Sequence, residues 1–254
     1  MKSQPPFWQN LRQIEGRNPV LEVLRAETQV IKVALEEKLR HDERISEIMD
    51  LVKKREVEVV RLSRKTLEKI SKTSAHQGVM AWAQWPEEVS VKQILVQAQK
   101  QGKDVFFIIL PQVTYEQNLG AVLRTAEAAR VDAVIVGNRS LPLTPVVTRV
   151  AMGATEYIPL IHENIFSAIR LLKEEGIKII AAEAKAKKSI YETNLTGPIA
   201  IVLGNEHRGI SQTLSERIDL AVKIPLFGKI NSLNLSVAAG IMMYEVVRQR
   251  RSSA

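Results

Sequence analysis

Short apolar runs recur through the second half of the chain: "VFFIIL", "DAVIV", "IKIIAA", "IAIVLG" and "LAVKIPL". They are continuous, where a strand with one wet face would alternate polar and apolar residues, and continuity is the mark of strands covered on both sides. A mostly parallel sheet with helices on its faces is therefore predicted from about Asp104 onward. The first 90 residues are patterned differently. An alternating segment spans Val30 to Leu35, a helical period runs over Ile45 to Lys54, a short strand is predicted near Val57 to Val60, and a helix follows Ser63 as its cap. Asn18 followed by Pro19 predicts a helix start, with Asn18 as the cap and the helix running to Arg25. "GVMAWAQW" reads as a closing strand, and "WPEEVSVKQ" breaks the pattern before a new helical period near Val89. This α/β chain is thus expected to divide into a small domain at residues 1–84, a linker and connecting helix at 85–103, and a larger domain at 104–254.

Composition narrows the function classes. No run among the 254 residues approaches the roughly 20 apolar residues needed to cross a bilayer, and "MKSQPPFWQNLRQ" lacks a signal-peptide core. A cytoplasmic protein without a membrane partner is expected. The absence of cysteine excludes disulfides, thiolate metal sites and a cysteine nucleophile. The four histidines, His41, His76, His162 and His207, lack metal-ligand spacing, so no metal is predicted. A net charge of +8 favours a polyanionic partner. It is uneven: +2 over residues 1–90 (16 basic against 14 acidic) and +6 over 91–254 (20 against 14). Basic clusters at Lys53–Arg55, Lys185–Lys188 and Arg248–Arg251 carry little weight singly, because most such runs are solvated faces.

Ligands of open α/β sheets gather beyond the carboxyl ends of the strands, and three stretches fall there. In "QNLGAVLRTAEAARVDAVIV", Asn118 can cap a helix, Gly120 permits close approach and Arg124 projects from the second turn. In "IAIVLGNEHRGIS", a buried strand ends in Gly204 and turns through Glu206 and His207 to Gly209. Neither the dinucleotide fingerprint nor the P-loop pattern is present. In "IPLFGKINSLNLSVAAGIMMYEVV", Ser232 and Asn234 can cap a helix whose positions Leu235, Val237, Ala238, Ile241, Met242 and Val246 face the core. One cap would suffice, so the extra polar groups suggest a loop that also wraps a ligand.

As a set, these stretches resemble the three signature motifs of the SpoU/TrmH class of the SPOUT superfamily, RNA ribose 2′-O-methyltransferases that use S-adenosylmethionine. Asn118, Gly120 and Arg124 match the first motif, Gly204, Glu206 and Gly209 the second, and Ile224, Pro225 and Ser232-Leu233-Asn234 the third. "IEGRNPVLEVLRA" and "SAHQGVMAWA" are similar to the L30e-like RNA-binding domain of the subgroup that methylates a guanosine ribose of 23S rRNA. Two departures are visible: "TYEQN" replaces the Asp-Pro common before the first motif, and His207 stands where glycine is common. The resemblance implies a C-terminal SPOUT-type parallel sheet with a deep trefoil knot, a homodimer that shares its active sites, and RNA as partner, rRNA in preference to tRNA, with no DNA expected. It implies that Gly204, Ile224, Leu226 and Leu233 hold the S-adenosylmethionine adenine. Arg124 would act at the substrate, as a general base or as a phosphate-assisted activator, with Asn118, Glu206, Ser232 and Asn234 supporting it. A guanidinium keeps its proton far above neutrality, so Arg124 is expected mainly to fix the substrate phosphate and to stabilise charge on the 2′ oxygen. The rival expectations are a tRNA ribose methyltransferase and a non-catalytic RNA-binding protein.

Overall fold

The computed structural model describes residues 11–205 and 209–252 and resolves into two units. One comprises residues 1–87 together with 143–157, and the other comprises 88–142 and 158–254.

In the N-terminal unit, strands β1 (Leu11–Glu15), β2 (Val30–Glu36), β3 (Glu58–Leu62) and β4 (Val79–Gln84) form a mixed sheet in the order β1-β4-β2-β3. Helices α1 (Arg17–Arg25) and α2 (Glu43–Lys54) bury Val20, Leu24, Ile45 and Ile48 with Val33, Leu35 and Val79 of the sheet. Leu67 of α3 (Arg64–Ile70) packs with Ala34 and Met80, which the pleat turns to the other side. Ser63 caps α3 as expected, its hydroxyl accepting from the Thr66 amide at 3.2 Å. At α1 the expected cap is corrected: the helix starts one residue before Asn18, and Gly16, at φ +99°, precedes it without a side-chain cap. Pro19 still lies in the first turn, where its missing N–H costs no helical bond.

In the C-terminal unit, α4 (Val91–Lys100) begins behind Ser90, which forms a reciprocal cap with Gln93. Strand β5 (Phe106–Leu110), helix α5 (Glu116–Ala128) and strand β6 (Ala133–Gly137) follow. The chain then leaves this unit for residues 143–157, including helix α6 (Pro145–Val150), and returns with β7 (Leu160–Glu163), α7 (Ile165–Glu174), β8 (Lys178–Ala182), β9 (Lys188–Ser189), β10 (Ile199–Leu203), α8 (Gln212–Ser215), β11 (Leu220–Lys223) and α9 (Leu235–Ser252). All seven strands pair in parallel, in the order β7-β6-β5-β10-β8-β11-β9. Every residue of β5, β6 and β10 is buried, which is why their sequences do not alternate.

The excursion departs from the expected single stretch 104–254, and a buried ion pair is among the contacts that hold it to the N-terminal unit. Arg12 of β1 donates to both carboxylate oxygens of Glu156, at 2.7 and 2.5 Å, and its Nε donates to the Gln84 carbonyl at 2.9 Å. The two side chains are 3% and 0% exposed. A guanidinium so buried requires a carboxylate beside it, and the N-terminal 87 residues do not supply this one.

Candidate functional site

The parallel strands fix where the C-terminal unit opens. β8, β10 and β11 all end on one side of the sheet, and the loops beyond them enclose a pocket of about 570 Å³. Its walls come from Ala182–Lys185 after β8, Gly204, Asn205, Gly209 and Ile210 after β10, and Ile224, Leu226 and Asn231–Leu233 after β11. Aliphatic side chains dominate, and Glu183 and Lys185 are the charged groups of the described lining.

Gly204 is required by close approach. A Cβ there would lie 2.4 Å from the Gly209 carbonyl carbon and 2.7 Å from the Ile210 nitrogen, both backbone atoms that cannot swing aside. Asn205 and Gly209 exchange two backbone hydrogen bonds, N–H to C=O at 3.1 Å and 2.8 Å, and so pinch the loop shut. Gly209 is left-handed at φ +62°, a conformation that side chains disfavour. Glu206 and His207 lie outside the described residues.

The polar cluster before α9 divides its labour. Ser232 lines the pocket. Asn234 caps the helix, its Oδ1 accepting from the amides of Ser236 at 2.9 Å and Val237 at 3.4 Å and from the Ser236 hydroxyl at 2.7 Å. Its Nδ2 donates to Asn118 Oδ1 at 2.9 Å. That bond corrects the reading of Asn118 as a cap: α5 starts two residues earlier, behind Tyr115, and Asn118 is a buried side chain within the first turn. It ties α5 to the start of α9, across 116 residues of sequence.

The expected site residues thus fall into groups. Gly204, Ile224, Leu226, Ser232 and Leu233 meet in one pocket; Asn118 and Asn234 form a bonded pair outside its lining. Arg124 is an exposed side chain of α5 and does not line the pocket of its own chain. Sequence reasoning does not assign Ala182–Lys185 to a site: "IKIIAA" reads only as a buried strand and Lys185 only as part of a basic cluster, although the rule that ligands lie beyond strand ends holds for β8 as for β10 and β11. α9 also departs from expectation at Val237, which is half exposed rather than in the core; Tyr244, which was not expected there, is half exposed too. Leu226 and Leu233 are partly exposed, and nearby in sequence Phe227 is 98% and Ile230 76% exposed.

The sequence profile of the SpoU rRNA Methylase family matches residues 105–244, and that of the RNA 2′-O ribose methyltransferase substrate-binding family matches residues 13–89. The chain is 39% identical over 247 residues to the 23S rRNA (guanosine-2′-O-)-methyltransferase RlmB of Coxiella burnetii, covering 96% of this chain and 98% of that one. Among solved structures, an RNA 2′-O ribose methyltransferase superposes with a TM-score of 0.80 at 25% identity, covering 95% of this chain and 89% of that one. AviRb from Streptomyces viridochromogenes, solved in complex with the cofactor AdoMet, shares the fold with a TM-score of 0.80 at 21% identity, covering 96% and 92%.

Proposed function

The chain belongs to the SpoU rRNA Methylase family, and from that premise we propose that it transfers a methyl group from S-adenosylmethionine to the ribose 2′-hydroxyl of a guanosine in 23S rRNA. The observation that carries this reading is the convergence of Gly204, from the loop after β10, and of Ile224, Leu226, Ser232 and Leu233, from the loop after β11, on one pocket. Its volume suits a cofactor of nucleoside size, and aliphatic walls with main-chain groups at their rims suit an adenine. The narrow approach at Gly204, which a single Cβ would fill, fits a loop that must close on a flat group. S-adenosylmethionine supplies an electrophilic methyl on a sulfonium. The protein must align the 2′-oxygen and ease departure of its proton.

Arg124 serves this step as a clamp on the substrate phosphate and a stabiliser of charge on the 2′-oxygen, since its guanidinium stays protonated. Asn118 and Asn234 hold α5 and α9 in register behind it. Ser232 faces the pocket and is placed to hold the ribose.

The active form is a homodimer in which Arg124 acts on the pocket of the partner. Two observations support this: Arg124 is absent from the lining of its own chain's pocket, and Phe227, Ile230, Val237, Tyr244 and Tyr115 leave apolar surface of this unit exposed. The deep trefoil knot follows the same reading, supported by a β10 that follows β8 in sequence yet inserts between β5 and β8. So does an L30e-like N-terminal domain that guides rRNA, in the cytoplasm where rRNA is assembled. No described helix is long and apolar enough to cross a membrane.

Incubation with tritiated S-adenosylmethionine and separate pools of unmodified rRNA and tRNA tests the reaction. Label on a guanosine ribose of 23S rRNA is expected; label confined to tRNA, or none, overturns it. Shared sites are tested by coexpressing Arg124→Ala with Gly204→Val. In mixed dimers one site is intact, and about a quarter of wild-type activity returns on random pairing. No recovery rules out a partner's Arg124.

A further inference from the structure

The N-terminal unit carries a second pocket, of about 550 Å³, that the methyl-transfer reading does not use. It lies among four segments: the start of α1, residues 36–44 from the end of β2 to the start of α2, the start of α3 at Arg64, and residues 74–78 before β4. Its described lining sets five cations, Arg17, Lys38, Arg40, Arg44 and Arg64, against one carboxylate, Glu36. Asp42 engages Arg17, and Glu68 holds Arg64 at 3.0 Å. Lys38 and Arg40 make no ion pair among the described residues. Like charges gathered around a concavity repel one another, and a bound anion relieves that repulsion.

The walls are built rather than incidental. Glu15, fully buried on β1, accepts from the Ser71 hydroxyl at 2.6 Å, the Lys72 amide at 2.7 Å and the Thr73 hydroxyl at 2.5 Å, and so pins the segment that leads into residues 74–78. Ser74 and Gln77 both take left-handed backbone, at φ 56° and 52°, a strain that side-chain-bearing residues accept only where the surroundings enforce it. Gly78, at φ +78°, lies against the 36–44 segment so closely that a Cβ would fall 2.3 Å from Leu39 Cδ1. Buried His76 accepts from the Gly78 amide through Nδ1 at 3.0 Å, which leaves Nε2 as the donor of the neutral ring.

We propose that this pocket holds the phosphate backbone of a non-helical stretch of RNA, anchoring substrate away from the methyl-donor pocket. The inference rests on the reading of the chain as an RNA methyltransferase and names where its N-terminal unit grips that RNA. The arginine forks match phosphate oxygens, which a neutral or cationic ligand would not satisfy. A concave cationic pocket takes a projecting phosphodiester of a loop or bulge, whereas a duplex presents an even cylinder.

The test uses the full chain carrying Lys38→Ala with Arg40→Ala, and an unmodified 23S rRNA transcript as probe, with binding measured from about 50 to about 200 mM salt. Affinity is expected to weaken about tenfold, and the log–log salt slope to lose about 1.4, or about 0.7 for each phosphate contact removed. Hydrogen-exchange protection of β1 and β4 should match wild type and serves as the folding control of the N-terminal unit; if the double variant misfolds, Arg40→Gln is measured in its place, with half the slope change expected. The comparison pair is Lys53→Ala with Lys54→Ala on α2, outside the pocket. An unchanged slope in the pocket variant, or an equal loss in the comparison pair, overturns the proposal. A parallel titration of wild type with inorganic phosphate separates the sources of the anion: saturable phosphate binding lost in the pocket variant, with RNA affinity unchanged, assigns the pocket to a free anion and also overturns it. A wild-type protein that methylates no RNA defeats the functional reading, whereas a wild type that methylates rRNA and a pocket variant with unaltered RNA affinity defeat this inference alone.

Discussion

The pocket of the C-terminal unit is walled by Ile210, Ile224, Leu226 and Leu233 and carries charge at Glu183 and Lys185, whereas that of the N-terminal unit sets five cations against Glu36. The first is shaped by backbone: loops at strand ends, and a glycine with no room for a methyl group. The second is made by long side chains at the starts of α1, α2 and α3 and on the loop after β2, beside a segment with glycine and left-handed residues. A pocket defined by backbone separates ligands by shape, and one added atom ruins it; a pocket defined by charge accepts many sequences and loses strength in small steps. One suits a single invariant cofactor, the other a polymer whose phosphates are everywhere alike.

The contrast can be broken in stages. The largest effect is expected from Glu156→Ala, which leaves Arg12 buried without its carboxylate at a cost of about 3–5 kcal/mol. Hydrogen exchange should show β1 and β4 losing protection while β5 and β10 keep theirs, and S-adenosylmethionine should bind as before; equal loss in both units would show that they do not unfold separately. Next is Arg124→Ala, expected to lower kcat by about 10²–10³-fold, or about 2.7–4 kcal/mol, with S-adenosylmethionine affinity unchanged by calorimetry. Lost cofactor binding would place Arg124 in the donor pocket rather than at the substrate. Gly204→Val should weaken S-adenosylmethionine about 100-fold, since the clash is with backbone, while RNA affinity from the N-terminal pocket persists.

The smallest effect concerns Glu15. Burial alone would raise its carboxyl, yet the Lys72 amide and the Ser71 and Thr73 hydroxyls hold it below the ordinary 4.5. A depressed folded-state value means that the charged form contributes stability above about 4.5 and that this contribution fades as pH falls through the lowered value. Glu15→Gln should cost about 1–2 kcal/mol at neutral pH and flatten the acid limb of a urea-denaturation pH series. An unchanged acid limb would show that Glu15 does not govern it.

What the sequence revealed, and what it hid, follows from separation along the chain. Strands such as "VFFIIL" and "IAIVLG" announce themselves because burial on both faces leaves a local signature. The loops at Gly204 and Ser232 were found because they lie next to such strands. The Asn118–Asn234 bond was invisible, because an asparagine near a helix start reads as a cap until its distant partner is known. The Arg12–Glu156 pair was hidden more deeply: arginine and glutamate are read as surface residues, and 144 positions separate these two. Ala182–Lys185 gave no pocket signal because alanines carry no chemistry of their own and Glu183 and Lys185, standing among other charges, read as a solvated face.

The route of residues 143–157 also sets a timetable for synthesis. The N-terminal unit lacks Glu156 until about 70 further residues have been polymerised after residue 87, a wait of roughly 4 to 14 seconds at 5–20 residues per second. A nascent chain arrested before that point carries Arg12 without its counter-ion, so this unit completes its buried ion pair only after part of the other unit's sheet has been synthesised.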